Sequence, residues 1–171
     1  MKQFKTLIIA IVLFFGAQVA TAQTTKVGHI DVSALMTTMP AMKAAEAQLT
    51  KLKEGYDNEY KKLVAEYQTK AAQYQKEAET AGDLLNQTRS QEMQDMGTRI
   101  QKYQDDASKS LQDKQIELQK PIYEKALAAI KKVSDAKGLS YTIDATSPGT
   151  VLNIGAGSID ILADVKKELG F

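Results

Sequence analysis

The protein is 171 residues long and has 22 Lys and Arg against 21 Asp and Glu side chains, no cysteine and a single histidine, His29. Lack of cysteine excludes disulfides and thiolate metal sites, and one imidazole cannot form a histidine cluster. Balanced charge gives no support to nucleic-acid binding. Most routes to metal-dependent or nucleophilic catalysis are closed, so we expect no enzymatic activity and no cofactor.

The first 22 residues predict a cleavable secretory signal peptide. Lys2 and Lys5 precede the apolar run "LIIAIVLFFGA", and small residues at Ala20 and Ala22 fit cleavage after Ala22. The apolar run is too short to span a bilayer. Cleavage removes two of the 22 basic residues, which leaves 20 against 21 acidic residues and a net charge of −1. We therefore expect an exported mature protein.

A short strand and a long helical region follow. β-branched residues in "KVGHIDVSALM" predict a strand over Lys26–Val32. From Pro40 to about Lys137 the chain is rich in Ala, Glu, Gln and Lys, which is a helix-forming composition. In its middle, "AGDLLNQTRSQ" contains Gly82 and other poor helix formers. The pattern predicts an antiparallel coiled-coil hairpin arm over residues 40–130, with its tip at about 82–91.

The register of this hairpin can be predicted from side-chain size. Apolar and small residues recur every three or four positions in both halves, as in a coiled-coil seam. A well-packed seam sets large residues against small ones. Tyr67 opposite Ala107 and Ala71 opposite Tyr103 meet that condition. We therefore predict a register in which paired residue numbers sum to about 174.

The C-terminal part alternates strand and helix signals. Strands are predicted over Ser140–Asp144 and Thr150–Ile154, joined by a turn at Ser147-Pro148-Gly149. The run "SIDILADVKKELGF" predicts an amphipathic helix, with Ser158 as its N-cap and Gly170 near its end. The fold class is therefore α+β.

Residues 23–39 and 131–171 together form a predicted body of about 60 residues, near the lower limit for a self-sufficient core. Short strands with free edges favour association of several copies through this body. The candidate interface residues are apolar and lie mostly in the predicted strands: Val27, Ile30, Val32, Tyr141, Ile143, Val151 and Ile154.

This pattern resembles the Skp/OmpH family of periplasmic chaperones. The matching features are "KVGHIDVSALM", "MPAMKAAEAQLTKL", the long hairpin, "GLSYTIDAT" and "DILADVKKELG", in that order. The resemblance implies a homotrimer, with a small β-barrel-like trimerisation body and three arms around a cavity. It also implies an ATP-independent holdase in the periplasm that binds unfolded outer-membrane proteins before their membrane insertion.

Client contact is expected to be mainly apolar. Residues 41–130 contain 14 basic and 15 acidic residues, so net charge supports neither a strongly positive cavity nor membrane or lipopolysaccharide contact. Methionine and leucine offer adaptable apolar surface. The candidate client-binding residues are Met36, Met39 and Met42 near the body, and Leu84, Leu85, Met93 and Met96 near the tip.

Two other classes of function are open to a chain of this kind. An exported coiled-coil spacer or adaptor could use the same hairpin, and an exported enzyme is disfavoured by the lack of convergent polar residues. His29 beside Asp31 is interpreted as structural, because residues two apart in a strand share a face. The run "GAGS" is interpreted as a turn, since it lacks the lysine of a phosphate loop.

Overall fold

The computed structural model describes residues 25–146, 149 and 151–171. The predicted signal peptide and the turn residues Ser147 and Pro148 lie outside this part of the chain. The described part is mostly helical and contains one small parallel sheet.

The elements follow one another along the chain as β1 (Val27–Ile30), α1 (Val32–Thr38), α2 (Pro40–Ala81), α3 (Asp83–Ala136), β2 (Tyr141–Asp144), β3 (Ile159–Asp160) and α4 (Leu162–Leu169). The sheet has the order β2-β1-β3, and β1 pairs in parallel with both neighbours. The central strand is therefore the first in sequence, and both its partners come from the C-terminal part.

The first strand is shorter than predicted, and Val32 lies in α1. Asp31 ends the strand because its carboxylate accepts a hydrogen bond from the Ala34 amide at 2.6 Å and caps α1. Helix α1 is separated from α2 by Met39 alone, whose backbone is extended, and Pro40 occupies the first position of α2. Proline is favoured there because its missing amide hydrogen would have no helical partner.

The prediction of a strand over Thr150–Ile154 is wrong for Val151–Ile154, which form neither helix nor strand. The third strand is instead the two-residue β3, and the Ile161 amide donates to the His29 carbonyl at 3.1 Å. Ser158 is not a helix cap, because its hydroxyl lies 2.8 Å from Nδ1 of His29. The final helix starts after Ile161 and ends, as predicted, at Gly170, whose φ of 88° is left-handed.

The long helices α2 and α3 have 42 and 54 residues, or about 63 and about 81 Å at 1.5 Å per residue. Gly82 alone separates them, with φ 74° and ψ 162°. Leu84 to Gln91 are helical, so the break is narrower than the predicted tip at 82–91. Asp83 favours this early start, because a carboxylate in the first turn interacts well with the helix dipole.

Contacts between the two long helices show that they run in opposite directions. Tyr56 donates to the Ser110 hydroxyl at 2.7 Å, and Tyr74 donates to Glu92 at 2.5 Å. Paired numbers in both contacts sum to 166, so the predicted register of about 174 is wrong by about one heptad.

One apolar core joins the sheet to the nearby ends of the helices. Its most buried members are Ile30, Leu35, Ile161 and Val165, each at most 1% exposed. Alanines and Val133 from the last third of α3 complete the cluster. Gly28 permits this close packing, since a Cβ there would lie 2.5 Å from Cδ1 of Leu139. Strand β1 and helices α1 and α4 are thereby held against the end of α3.

Candidate interaction surfaces

Within the described residues, no three His, Asp or Glu side chains are placed together as a metal site would require. The features of functional interest are instead large apolar side chains that the chain leaves exposed. They occur on the outer face of α3, next to the helix break, and on the sheet with the segment after it.

The first surface, here the α3 stripe, consists of Ile116, Tyr123 and Leu127, which are 56%, 48% and 46% exposed. At 100° per residue the three lie within about 40° of one another around the helix. Ala126 and Val133, which are buried in the core, lie about 60–120° away from these residues around α3. The stripe is about 16 Å long and has no cover within the described chain.

Lysines accompany the α3 stripe. Helical spacing places Lys109, Lys120 and Lys131 on the same face as Tyr123. Lys131 is paired with Asp135 at 2.5 Å. Asp113 lies at the same angle from Tyr123 as Lys131, so the charges beside the stripe are largely offset.

The second surface is the pair Leu84 and Leu85 in the first turn of α3, which are 80% and 45% exposed. These are the two predicted client-binding residues that are exposed. They are exposed because the chain reverses at Gly82 and the first turn of α3 projects beyond the last seam contacts.

The predicted methionines lie mostly inside. Met39 and Met42 are 3% and 8% exposed and belong to the core, and Met96 is 3% exposed between the long helices. Met36 is half-buried against the core, and Met93 is half-buried on α3. Met39, Met42 and Met96 therefore hold the fold together in the single chain.

The third surface is the outer face of the sheet. Val27 pairs with Tyr141 and His29 with Ile143, so all four share a face. Tyr141 is 67% and Ile143 38% exposed. The opposite face is covered by the core.

Other predicted interface residues are distributed differently. Ile30 is buried in the core and Val32 is half-buried in α1. In the segment before β3, Val151 is half-buried, Ile154 is 44% exposed and Leu152 is 92% exposed. Leu152 and Ile154 are therefore further exposed apolar residues in the segment before β3.

The family model described as outer membrane protein (OmpH-like) matches residues 26–169. The chain belongs to the OmpH-like family. Among curated proteins, none matches it.

One solved structure supports the fold of this OmpH-like chain. It is provisionally described as an OmpH-like outer membrane chaperone from Caulobacter crescentus CB15. The two share 15% identity with a TM-score of 0.73, over 84% of this chain and 82% of that one. Since identity is low, this likeness concerns the fold. In the described part of the OmpH-like chain, no helix is both long and apolar enough to cross a membrane.

Between the long helices of the OmpH-like chain lies a polar cluster formed by Lys70, Tyr74, Glu77, Arg89 and Glu92. Lys70 and Tyr74 both donate to Glu92, and Arg89 donates to Glu77. The Arg89 guanidinium also lies 4.6 Å from the centre of the Tyr74 ring. All four of these contacts join α2 to α3.

The charges in this polar cluster support one another. The hydrogen bond from Lys70, and next that from Tyr74, lowers the pKa of Glu92. Hydrogen bonds from Gln73 and then Arg89 lower the pKa of Glu77. The hydrogen bond to Glu92 raises the pKa of both Lys70 and Tyr74. The cluster is thus most stable with both carboxylates ionised.

Nearer the body, the seam is less well filled. A groove of about 600 Å³ lies between the helices, lined by Leu52, Gly55, Tyr56 and Tyr103 with lysines at its rim. The two tyrosine rings meet edge to face at 6.2 Å between centroids. Gly55 contributes to the gap, because no atom lies within 4 Å of the Cβ position there.

Proposed function

We propose that this OmpH-like protein is a periplasmic holdase, which binds unfolded outer-membrane proteins without ATP and prevents their aggregation. The observation that carries the proposal is the uncovered α3 stripe of Ile116, Tyr123 and Leu127. Exposed apolar surface on a long helix suits a partner that itself exposes apolar side chains. Family membership and the description of the Caulobacter relative as a chaperone agree with this role.

The working form proposed is a homotrimer whose sheets build a barrel-like body. Tyr141 and Ile143 on the outer sheet face leave an apolar area uncovered in the single chain. Strand β2 has a free edge, and paired edges are more stable than exposed ones. Three long helix pairs would then project from one body as arms and enclose a cavity for the client.

Client contact is proposed at the α3 stripe and at the tip leucines Leu84 and Leu85. Met36 and Met93, which are half-buried, would add to it. The buried Met39, Met42 and Met96 would act indirectly, by holding the arm on its body. Exposed and half-buried residues among the predicted client-binding set are thus proposed to touch the client, and buried ones to stabilise the fold.

Export to the periplasm is proposed from the signal sequence at residues 1–22. Detection of a mature chain that begins at Gln23 in a periplasmic extract would support it. A chain retained in the cytoplasm with an intact N-terminus would contradict it.

The holdase role is tested by the fraction of a denatured outer-membrane barrel protein that stays soluble after dilution with the mature chain. Serine in place of Ile116, Tyr123 and Leu127 should reduce that fraction at least severalfold. The matched control places serine at the exposed glutamines Gln94, Gln101 and Gln104 of the same helix.

The test also separates the holdase from an exported spacer or adaptor. A spacer would leave the denatured barrel protein to aggregate at every concentration, and would instead form a defined complex with one folded partner. If the stripe variant and the glutamine control keep the barrel protein equally soluble, the α3 stripe is not the contact surface.

A further inference from the structure

The observed register of α2 and α3 differs by about one heptad from the one predicted by matching large with small seam residues. Shifted by about one heptad, Tyr67 would face Ala107 and Ala71 would face Tyr103, which are well-matched large and small pairs. In the observed register Tyr56 faces Ser110, and a groove of about 600 Å³ remains beside it. Size matching does not account for the observed register, so directional contacts between the helices are the next cause to consider.

We propose that the polar cluster of Lys70, Tyr74, Glu77, Arg89 and Glu92 is a register lock, which selects this alignment of the two long helices over the heptad-shifted one. The lock joins three residues of α2 to two of α3. A seam rich in alanine discriminates weakly between registers, whereas a directional polar contact is satisfied in only one.

The shifted register would break every contact of the lock. Glu92 would come level with Gly82, which has no side chain to replace Lys70 or Tyr74. Glu77 would face Gly97, so its carboxylate would lose Arg89. The Arg89 side chain is only 15% exposed, so it would also lose the partners that compensate its burial.

The helix break acts in the same direction as the lock. In the shifted register the turn would move toward Asn86, and Gly82 would lie inside a helix, where glycine is unfavourable. Leu84 and Leu85 would then end α2 instead of starting α3. The lock therefore determines which helix presents the exposed tip leucines.

Disulfide reporters measure the register directly, because the natural chain has no cysteine. Cysteines at Tyr67 and Ile100 should bridge in the observed register, and cysteines at Tyr67 and Ala107 only in the shifted one. Cα atoms must come within about 7 Å for a bridge to form. The full mature chain is oxidised mildly, and intramolecular bridges are quantified by mass spectrometry.

Glu77→Arg and Arg89→Glu are compared singly and together. Each single change should lower the 67–100 bridge at least threefold and make the 67–107 bridge detectable. The double change keeps both charges and exchanges their positions, so it should restore the original ratio. Control variants Lys53→Asp and Asp57→Lys alter an exposed pair within α2, at 2.6 Å, and should leave the ratio unchanged.

Helicity measured by circular dichroism decides the remaining outcomes. Unchanged bridges in both single variants would overturn the proposal. Loss of both bridges together with most helicity would also overturn it, because the cluster would then hold the helices together and not choose between their registers. Failure of the double variant to restore the 67–100 bridge would show that charge pairing does not select the register.

Discussion

Tyr74 on α2 donates its hydroxyl hydrogen to the carboxylate of Glu92 on α3 at 2.5 Å, across 18 residues of sequence. Lys70 donates to the other oxygen of the same carboxylate. One acidic side chain thus joins two successive turns of α2 to α3 close to the helix break. Acid should weaken this junction before it weakens the apolar core, since apolar burial carries no charge.

The first prediction concerns this acid sensitivity. The pKa values of Glu92 and Glu77 are lowered in the folded chain, so their stabilisation is complete above the ordinary value of 4.5 and is lost as pH falls through the lower folded values. Protection of the amides near the break, taken relative to the intrinsic exchange rate at each pH, should therefore fall below about pH 4.5.

Glutamine at both positions removes the titrating groups, so the variant should lose less amide protection than the natural chain between pH 6 and pH 3.5. Asp144→Asn is the matched control, because the lowered pKa of Asp144 arises in the sheet, from hydrogen bonds with Thr146 and Val32 that outweigh its burial. Equal loss of protection at the break in the natural chain and the double glutamine variant would rule out these carboxylates as the cause.

The second prediction concerns Gly82, the single residue between the long helices. Its φ of 74° is costly for any residue with a Cβ, so Gly82→Ala should destabilise the chain by about 1 kcal/mol. Gly55→Ala is the control, because Gly55 is inside α2 with open space around its Cβ position. There alanine should stabilise by about 0.5–1 kcal/mol. Opposite shifts in urea midpoint are expected, and a stabilising Gly82→Ala would contradict the turn geometry.

Local composition predicted the long helices well but not where they meet. Ala, Glu, Gln and Lys favour helix whatever their surroundings, so the predicted limits of the helical region, Pro40 and about Lys137, agree with the structure. The position of the break was harder to predict, because Gly82 interrupts the helix while the residues just after it are helical again. The register then depended on polar pairs between the helices, which a rule based only on size and apolarity does not weigh.

The strand β3 and the exposed surfaces were harder to predict for another reason. Two residues, Ile159 and Asp160, become a strand only because β1 lies beside them, more than 100 residues away in sequence. Burial of Met39 likewise depends on how α1 and α2 meet. The α3 stripe had a local signal in the spacing of Ile116, Tyr123 and Leu127. The apolar residues of this region were, however, all interpreted as part of the seam between the long helices, so the stripe was not predicted.

The third prediction separates core methionines from surface leucines. Met39→Ala should destabilise the chain by about 2–5 kcal/mol, because the side chain is 3% exposed and its removal leaves a cavity. Leu84→Ala should change stability by no more than about 0.5 kcal/mol, because Leu84 is 80% exposed. Urea unfolding of both variants checks this, and equal midpoints would contradict the burial of Met39.

The fourth prediction concerns the outer sheet face. Ile143 is 38% exposed in the single chain and shares its face with Tyr141. In the proposed trimer this face is covered, so Ile143→Lys would bury a charge without a partner, at a cost of several kcal/mol per site. The mature variant should therefore elute as a folded monomer or unfold, whereas the natural chain should have the mass of a trimer by light scattering.

Ala163→Lys is the control for this change, because Ala163 is exposed on α4, away from the outer sheet face. It should keep the natural mass and melting temperature. A trimer of unchanged mass and stability in Ile143→Lys would place the interface elsewhere, with exposed Leu152 and Ile154 as the next positions to test. A natural chain that is monomeric at all concentrations would contradict the proposed trimer. The α3 stripe of a single arm would then have to bind the client by itself.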